Sequence, residues 1–418
     1  MMMIKKVASK TKGFGLAALA ATLVMMSSGM VVSQEASRRP VIKVLTPIRV
    51  IEDPYPVFIG IGVNTETDEV VISDNNRAAL LTYDRLTQTE GVAEPLRQII
   101  GPKTLLGDVC GLSIDPMNQE IYVVDNDSAD TMSVFSRESK GDVSPKRALE
   151  TSHGAWGVFL DRDHDELAIT IEHNNQIAVY RRMAEGDEAT LRIIQGSRTQ
   201  LADPHGIFVD SLHDEIAVTN HGHWHLVQTG EGETIGSQLI KTAEGYQEGG
   251  DREALLGPPA LPYSTGKFLP PSITVYRRLA NGDVEPLRSI QGPRTKLNLP
   301  LGIWVDTIRD EIIVANNDDA ILFFSRTANG DVAPLRVIQG SFTQLSSPSG
   351  IFLDTKNEEL WVANYGNHRA TVYPITAQGN VAPLRVIRSA SSQAPSTGVN
   401  SVGNLAYDPV RKQILVPN

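Results

Sequence analysis

The sequence predicts an all-β fold, a seven-bladed β-propeller with four antiparallel strands in each blade. Three observations predict it. A unit beginning GI-x-x-D recurs along the 418-residue chain, a second unit containing PLR follows most copies, and the two chain ends carry complementary halves of the repeat. A repeat of about 50 residues made of two hairpins is typical of a propeller blade.

The first unit consists of two short runs rich in valine, isoleucine and aromatic residues around an acidic turn, which predicts a β-hairpin. Its copies start at Gly60, Gly111, Gly157, Gly206, Gly302, Gly350 and Asn404. The second unit, as in Ile273–Gly292, turns at Asn-Gly or a similar pair, which also predicts a hairpin. Together the two units supply four strands.

The chain ends predict how the ring closes. The C-terminus supplies a first hairpin, Asn404–Asn418, and the N-terminus supplies a second in VIKVLTPIRVIEDP, residues 41–54. We therefore expect one propeller domain over residues 41–418, with its seventh blade built from both ends. An open solenoid is the alternative, and it would not need complementary half-repeats.

The repeated GNVAPLRVI, GI-x-x-D and VAN-Y-G patterns resemble those of the secreted NHL-type and lactonase-like propeller superfamily, over roughly residues 41–418. Propellers of that superfamily include binding modules, lactonases and lyases. The resemblance thus implies the fold more firmly than the function.

Residues 1–33 combine four lysines, an apolar run and small residues near Ser33, which predicts a secretory signal peptide and a periplasmic or extracellular protein. An uncleaved anchor is the alternative; otherwise we expect no membrane span in the mature form.

The net charge of −11 without a basic block argues against nucleic acid as a partner. Cys110 is the only cysteine, so no internal disulfide can form.

Residues 226–272 contain neither repeat unit and are rich in proline. They explain one step of 96 residues between first units, where other steps are 46 to 54. We expect a long loop inserted in the fourth blade, a lid or a partner-docking arm.

Residues that recur in the blades are expected to be structural. The aspartate four residues after the blade-start glycine, the glutamate nine after it and the arginine of PLR all repeat around the ring. Paired carboxylates suggest acid–base chemistry, but six or seven copies fit turn and strand-end roles. The arginines are candidates to pair with these acids.

Histidines do not recur, so they predict the functional face. Seven of the nine fall in loops of one face: His153, His173, His205, His221, His223, His225 and His368. Only His164 and His213 fall in turns of the opposite face. Alternate side chains of a strand lie about 6.6 Å apart on one side, so His221 and His223 can share an ion while His225 needs a bend.

We predict a divalent metal site at blades three and four, with His205, His221, His223, His173 and His225 as ligands and zinc, copper, manganese or nickel as the metal. The alternative is that these are solvated loop histidines.

A calcium site on the propeller axis is a second candidate site. Its ligands would be oxygens of Asp74, Asn75, Asp125, Asn126, Asn220, Asn316, Asn317, Asn364 and Asn418. A pocket for a sugar or an aromatic ring is a third, lined by His153, Trp156, Trp224, Tyr365 and His368.

Two functions remain open. The first is an exported binding or scaffold protein that presents this face to a protein, small-molecule or carbohydrate ligand. It is favoured because no nucleophile motif or phosphate loop is present. The second is a metal-dependent hydrolase or lyase in which Glu172 or His153 acts as general base.

Overall fold

A computed structural model of the chain describes residues 55–88, 91–226, 266–391, 406–408 and 413–415. These residues form six four-stranded antiparallel sheets. The prediction of an all-β propeller with four antiparallel strands per blade is confirmed. The predicted signal peptide, residues 1–33, lies outside the described residues. No helix long and apolar enough to cross a membrane occurs in the part of the chain that the structure describes.

Each blade begins with an inner strand and continues outward. The six inner strands are β1 (Phe58–Asn64), β5 (Val109–Asp115), β9 (Ala155–Asp161), β13 (Pro204–Asp210), β19 (Pro300–Asp306) and β23 (Pro348–Asp354). The second strands are β2 (Glu69–Asp74), β6 (Glu120–Asp125), β10 (Glu166–Ile171), β14 (Glu215–Asn220), β20 (Glu311–Asn316) and β24 (Glu359–Asn364).

The outer half of each blade is the second predicted hairpin. The third strands are β3 (Ala79–Asp84), β7 (Thr131–Ser136), β11 (Gln176–Arg181), β17 (Ser272–Arg277), β21 (Ala320–Ser325) and β25 (Arg369–Pro374). The fourth strands are β4 (Arg97–Ile100), β8 (Arg147–Glu150), β12 (Arg192–Gln195), β18 (Arg288–Gln291), β22 (Arg336–Gln339) and β26 (Arg385–Arg388).

The prediction of seven blades is wrong, because the sixth blade packs directly against the first. Inner strand β23 contacts β1, as each inner strand contacts the next around the ring. The Ser349 hydroxyl donates to the carbonyl of Ile59 over 3.0 Å, and Arg85 of the first blade pairs with Glu359 of the sixth at 3.1 Å. These contacts close the ring without a further sheet.

Within the described residues, the terminal half-repeats that suggested a seventh blade supply no seventh four-stranded sheet. In the described part of the C-terminal half-repeat, β27 (Ala406–Asp408) and β28 (Gln413–Leu415) pair as a two-stranded sheet. Residues 41–54, the predicted partner hairpin, lie outside the described residues. A repeat count shows how many hairpins a chain can form, whereas ring closure depends on which blades pack together.

The blade-start glycine recurs because the neighbouring inner strand approaches it closely. A Cβ atom on Gly206 would lie 2.3 Å from the carbonyl oxygen of Leu301, and one on Gly350 would lie 2.4 Å from that of Ile59. Real Cβ contacts are not that short, so a larger residue would push two blades apart. The glycine at this repeat position therefore allows close packing both between consecutive blades and between the sixth blade and the first.

The repeated acids and arginines form one ion pair in every blade, between the second and fourth strands. Their closest N–O distances lie between 2.7 and 2.9 Å: Arg97–Glu69, Arg147–Glu120, Arg192–Glu166, Arg288–Glu215, Arg336–Glu311 and Arg385–Glu359. Several of the glutamates also bind an arginine of the next blade, such as Arg278 on Glu166 at 3.2 Å. These carboxylates are structural, as their recurrence predicts.

Aromatic side chains of four inner strands meet at the centre of the ring. Phe159 packs on Phe208 with ring centroids 4.6 Å apart, Phe208 on Trp304 at 5.0 Å, and Trp304 on Phe352 at 4.8 Å. Phe159 also contacts Trp304 at 6.4 Å although their blades are not neighbours. This cluster fills part of the central space of the six-bladed ring.

In the fourth blade, second strand β14 pairs directly with third strand β17, so the chain between them leaves the sheet. Its two ends pair as a ribbon of β15 (His223–Leu226) and β16 (Gly266–Leu269). A strand thus lies within the predicted loop of residues 226–272, close to its prolines. Residues 227–265 lie outside the described residues.

Candidate metal centre on blades three and four

The site lies where second strands end and inner strands begin. The residue directly after the second strand is Asn75, Asn126, Glu172, His221, Asn317 or Tyr365, in blade order. The residue directly before the blade-start glycine is Ile59, Cys110, Trp156, His205, Leu301 or Ser349. Only blades three and four place an acid or a histidine in these slots, so the repeated backbone brings reactive groups together at their junction.

His205 is the buried centre of this group. It is 5% exposed, on inner strand β13, and its ring lies 4.9 Å from that of Trp156. Its Nδ1 is 2.9 Å from the backbone carbonyl of Asp203, and its Nε2 is 3.0 Å from Oε2 of Glu172. Both of these partners accept hydrogen bonds, so each ring nitrogen of His205 faces an acceptor.

Glu172 joins two histidines through its two oxygens. Oε2 contacts His205, and Oε1 lies 3.0 Å from Nε2 of His173. Burial opposes ionisation of Glu172, but the hydrogen bonds and charges of His173 and His205 outweigh it and hold its pKa well below the ordinary value. The hydrogen bond to Glu172, opposed by burial, raises the pKa of His173. Glu172 is therefore an ionised acceptor.

His221 lies against His205. The two rings stack with centroids 3.4 Å apart and planes inclined by 21°. Nδ1 of His221 is 3.6 Å from Oδ2 of Asp203, whereas its Nε2 is buried and has no hydrogen-bond partner among the described residues. Burial and the charge of His205 lower the pKa of His221, with Asp203 acting in the opposite direction. His221 is thus disposed to be neutral and to offer a lone pair.

Asp203 completes the buried group. One donor atom from each of Asp203, His205 and His221 can be chosen so that all three lie within 4.8 Å of one another. Burial raises the pKa of Asp203, but the hydrogen bond from His221 and the charge of His205 outweigh burial. The pKa of Asp203 is therefore below its ordinary value. Two imidazoles and one carboxylate are a donor set that suits a divalent transition metal.

A second group of acids and histidines adjoins the first through His173. His173 and His153 lie with ring centroids 4.8 Å apart. His153 contacts Asp130 through Nδ1 at 2.9 Å and Asp127 through Nε2 at 3.3 Å. The two groups form one network of alternating imidazoles and carboxylates across blades two, three and four.

The field around the network is acidic. Burial raises the pKa of Asp108 to about 6, and the charges of Asp127, Asp125 and Glu172 add to that rise. The carboxylates that add to this rise lie close together, and such a cluster favours cations.

The structure describes the side chains of three of the four predicted ligand-binding residues, His368, Trp156 and Tyr365. His368 belongs to the sixth blade, where Nδ1 lies 2.7 Å from the carbonyl of Pro56. Trp156 and Tyr365 both pack, partly buried, against the hydrophobic cluster that includes Ile59 and Cys110. The side chains of His223, Trp224 and His225 lie outside the described part of the structure; only their backbone is placed, in β15.

The proposed axial calcium ligands are largely used by the loops themselves. The last residues of five second strands accept hydrogen bonds from backbone amides, over 2.6 to 3.1 Å, with these acceptors: Asp74, Asp125, Asn220, Asn316 and Asn364. Each bond ties the loop before an inner strand to the end of the second strand of the same blade. Their recurrence follows from this capping role.

Sequence reasoning missed three carboxylates of the site, Asp203, Asp127 and Asp130. A signal for two of them was present. Asp203 stands two residues before His205 in DPHG, and Asp127 occupies the slot of blade two that His173 occupies in blade three. Blade-to-blade comparison of every loop position, and not of histidines alone, would have found these two.

Comparison with known proteins adds little to this geometry. No protein-family model matches the chain, and no curated protein matches it in sequence. Among solved structures, the chain is similar to a functionally unknown protein from Desulfotomaculum acetoxidans, at 12% identity and a TM-score of 0.49, covering 80% of this chain and 87% of that one. The functional proposal therefore depends on the residues of the site.

Proposed function

We propose that the protein is an exported binding propeller that holds a divalent transition metal at the junction of blades three and four. Asp203, His205 and His221 are the ligands. The observation that carries the proposal is the convergence of these three donors within 4.8 Å, combined with a buried Nε2 of His221 to which the described residues offer no hydrogen-bond partner. A buried polar nitrogen without a partner is costly, and a metal ion would satisfy it.

The donor chemistry fits zinc well. Zinc binds imidazole nitrogen and carboxylate oxygen at about 2.0–2.2 Å, which places neighbouring ligand atoms roughly 3.0–3.5 Å apart. The present spread of up to 4.8 Å requires the stacked rings to rotate, because parallel rings do not aim their lone pairs at one point. Glu172 is positioned to orient His205 or to add a fourth oxygen donor.

The alternative is a metal-dependent hydrolase or lyase at the same site. An efficient general base has a pKa near the working pH. Glu172 has a lowered pKa and already accepts from two histidines, and both nitrogens of His153 face carboxylates. Glu172 is therefore a poor general base, and this favours binding over catalysis. Lactone hydrolysis by the zinc-loaded protein would reverse that preference.

Two further parts of the proposal come from the sequence. Export to the periplasm or outside the cell is supported by residues 1–33, and cell fractionation with N-terminal sequencing tests it. Membership of the NHL-type or lactonase-like propellers is supported by the repeated GI-x-x-D and PLRVI patterns. A protein, small-molecule or carbohydrate ligand would then bind at the rim of the ring that carries His153, His173, His205 and His221.

Zinc binding to the chelator-treated protein tests the metal site. The His205→Gln/His221→Gln variant is expected to lose a zinc ion that the wild type holds, as measured by elemental analysis after gel filtration. His213→Gln is the matched control, since His213 pairs with Asp210 at 2.7 Å in a turn of the opposite face. Full retention of zinc by a folded double variant would end the proposal.

A further inference from the structure

The exposed half of the histidine network has the features of a metal site of its own. One donor atom each from Asp127, His153 and His173 can be chosen so that all lie within 4.8 Å of one another. Nε2 of His153 lies 3.3 Å from Oδ1 of Asp127, and Nδ1 of His173 lies 4.0 Å from the same oxygen. The three side chains are 38 to 49% exposed, so an ion there is open to solvent.

Each histidine of this group is held from behind by a carboxylate. Nδ1 of His153 contacts Asp130 at 2.9 Å, and Nε2 of His173 contacts Glu172 at 3.0 Å. In each ring the other nitrogen is the one that faces Asp127. Histidines that bind metals almost always give their second nitrogen to an acceptor of this kind, which orients the ring and makes the free nitrogen a better ligand.

The opposite face supplies an internal comparison. His164 and His213 each contact one aspartate through Nδ1, at 2.8 and 2.7 Å. Neither belongs to a convergent group of three donors among the described residues. A histidine beside an aspartate is thus an ordinary turn feature of this protein. On the rim, by contrast, two histidines each contact a carboxylate through one nitrogen and face a shared carboxylate, Asp127, with the other.

We propose that Asp127, His153 and His173 form a second transition-metal site, so that the rim holds two ions. The exposed ion has three protein ligands and keeps positions open for water or an oxygen donor of a ligand. Glu172 connects the sites, because one of its oxygens contacts His173 and the other contacts His205. The link to a buried ion rests on the proposed function; the exposed site stands on its own donors.

Zinc stoichiometry of the purified protein tests this proposal, with three variants compared after chelator treatment and reloading. Wild type is expected to bind two zinc ions per chain. Asp127→Asn/His153→Gln should bind one, and His205→Gln/His221→Gln should bind one. His164→Gln, the control from the opposite face, should bind two. Far-UV circular dichroism of the metal-free samples establishes that each variant is folded.

The outcomes separate the two proposals. Loss of one ion in Asp127→Asn/His153→Gln supports the exposed site whether or not the buried site binds. Wild-type stoichiometry of one that only His205→Gln/His221→Gln removes would overturn the exposed site and leave the proposed function intact. Stoichiometry of one that only Asp127→Asn/His153→Gln removes would do the reverse. No zinc in any sample overturns both.

Asp130 provides a finer test, since it acts on the metal only through His153. Asp130→Asn should keep the stoichiometry of wild type while weakening zinc at the exposed site about 10- to 100-fold. Cobalt substitution adds a spectroscopic readout, because the absorption of the exposed cobalt should change in Asp130→Asn while that of the buried cobalt stays the same. Unchanged affinity and spectrum in this variant would count against the orientation of His153 described above.

Discussion

Oε2 of Glu172, after the second strand of blade three, lies 3.0 Å from Nε2 of His205, at the start of the inner strand of blade four. In most other blades the slot of Glu172 holds an asparagine, and the slot of His205 holds an apolar residue or serine. The ordinary contact between neighbouring blades has thus become a charged one at this junction. Its ionic character makes it testable by pH and by substitution.

Replacing Glu172 with glutamine should destabilise the metal-free protein near neutral pH by about 3 kcal/mol, because His205 and His173 lose their counter-charge. The folded pKa of Glu172 lies below its ordinary value of about 4.5, so its contribution is present above that value and is lost as the pH falls through the folded pKa. The difference in free energy of unfolding between wild type and Glu172→Gln, measured in urea, should therefore become smaller in acid.

The same variant should also change the titration of His173. Its hydrogen bond to Glu172 raises the pKa of the imidazole, so Glu172→Gln should lower that pKa toward 6.5. Proton–nitrogen correlation spectra of the imidazole rings measure this, with His213 as an internal control on the opposite face. An unmoved His173 titration would show that the contact with Glu172 does not persist in solution.

Glu120 tests the repeated ion pairs of the blades. The hydrogen bond from Arg147, opposed by burial and supported by Lys146, lowers the pKa of Glu120 to about 2. Its stabilisation is present above about pH 4.5 and is lost as the pH falls through 2. Glu120→Gln should cost about 2 kcal/mol at pH 7 after allowance for solvent screening. Glu285→Gln, at an exposed pair, should change little; equal effects would refute a special role for Glu120.

The aromatic cluster at the centre predicts a large cavity effect. Phe208 contacts both Phe159 and Trp304, so Phe208→Ala should lower the free energy of unfolding by about 3–5 kcal/mol. Leu212→Ala, four residues later and 72% exposed, should change it by less than about 0.5 kcal/mol. Thermal and denaturant unfolding measure both. Similar small effects would mean that the central cluster is not packed.

Ring closure by six blades predicts which part of the chain is sufficient for folding. A fragment of residues 52–391 contains all six sheets and both sides of the β23–β1 contact. It should unfold cooperatively, with a midpoint within about 4 °C of that of the longer chain. A fragment of residues 66–391 lacks β1, leaves β23 without its neighbour and should lose cooperativity. If the fragment of residues 52–391 does not unfold cooperatively, the chain ends outside it are needed for folding.

Local features of the fold were predictable from sequence. Turn pairs such as Asn-Gly, together with runs of β-branched and aromatic residues, are local signals, so the four-stranded blade and the propeller class followed from them. Because those signals repeat, they also separated structural acids such as Glu120 from unrepeated residues such as His205. The shared rim of His153, His173, His205 and His221 followed in turn from their loop positions.

The tertiary structure decided the number of blades and the grouping of the donors. Every junction between blades uses the same close glycine contact, so the sequence of a repeat does not determine which blade packs against the first. The packing of β23 on β1 determines it. Likewise, spacing placed His205 near His221 but could not show that Glu172 divides its oxygens between His205 and His173, or that Asp203 and Asp127 join them. Those choices depend on side-chain rotamers and loop backbone, which are set only when distant segments pack together.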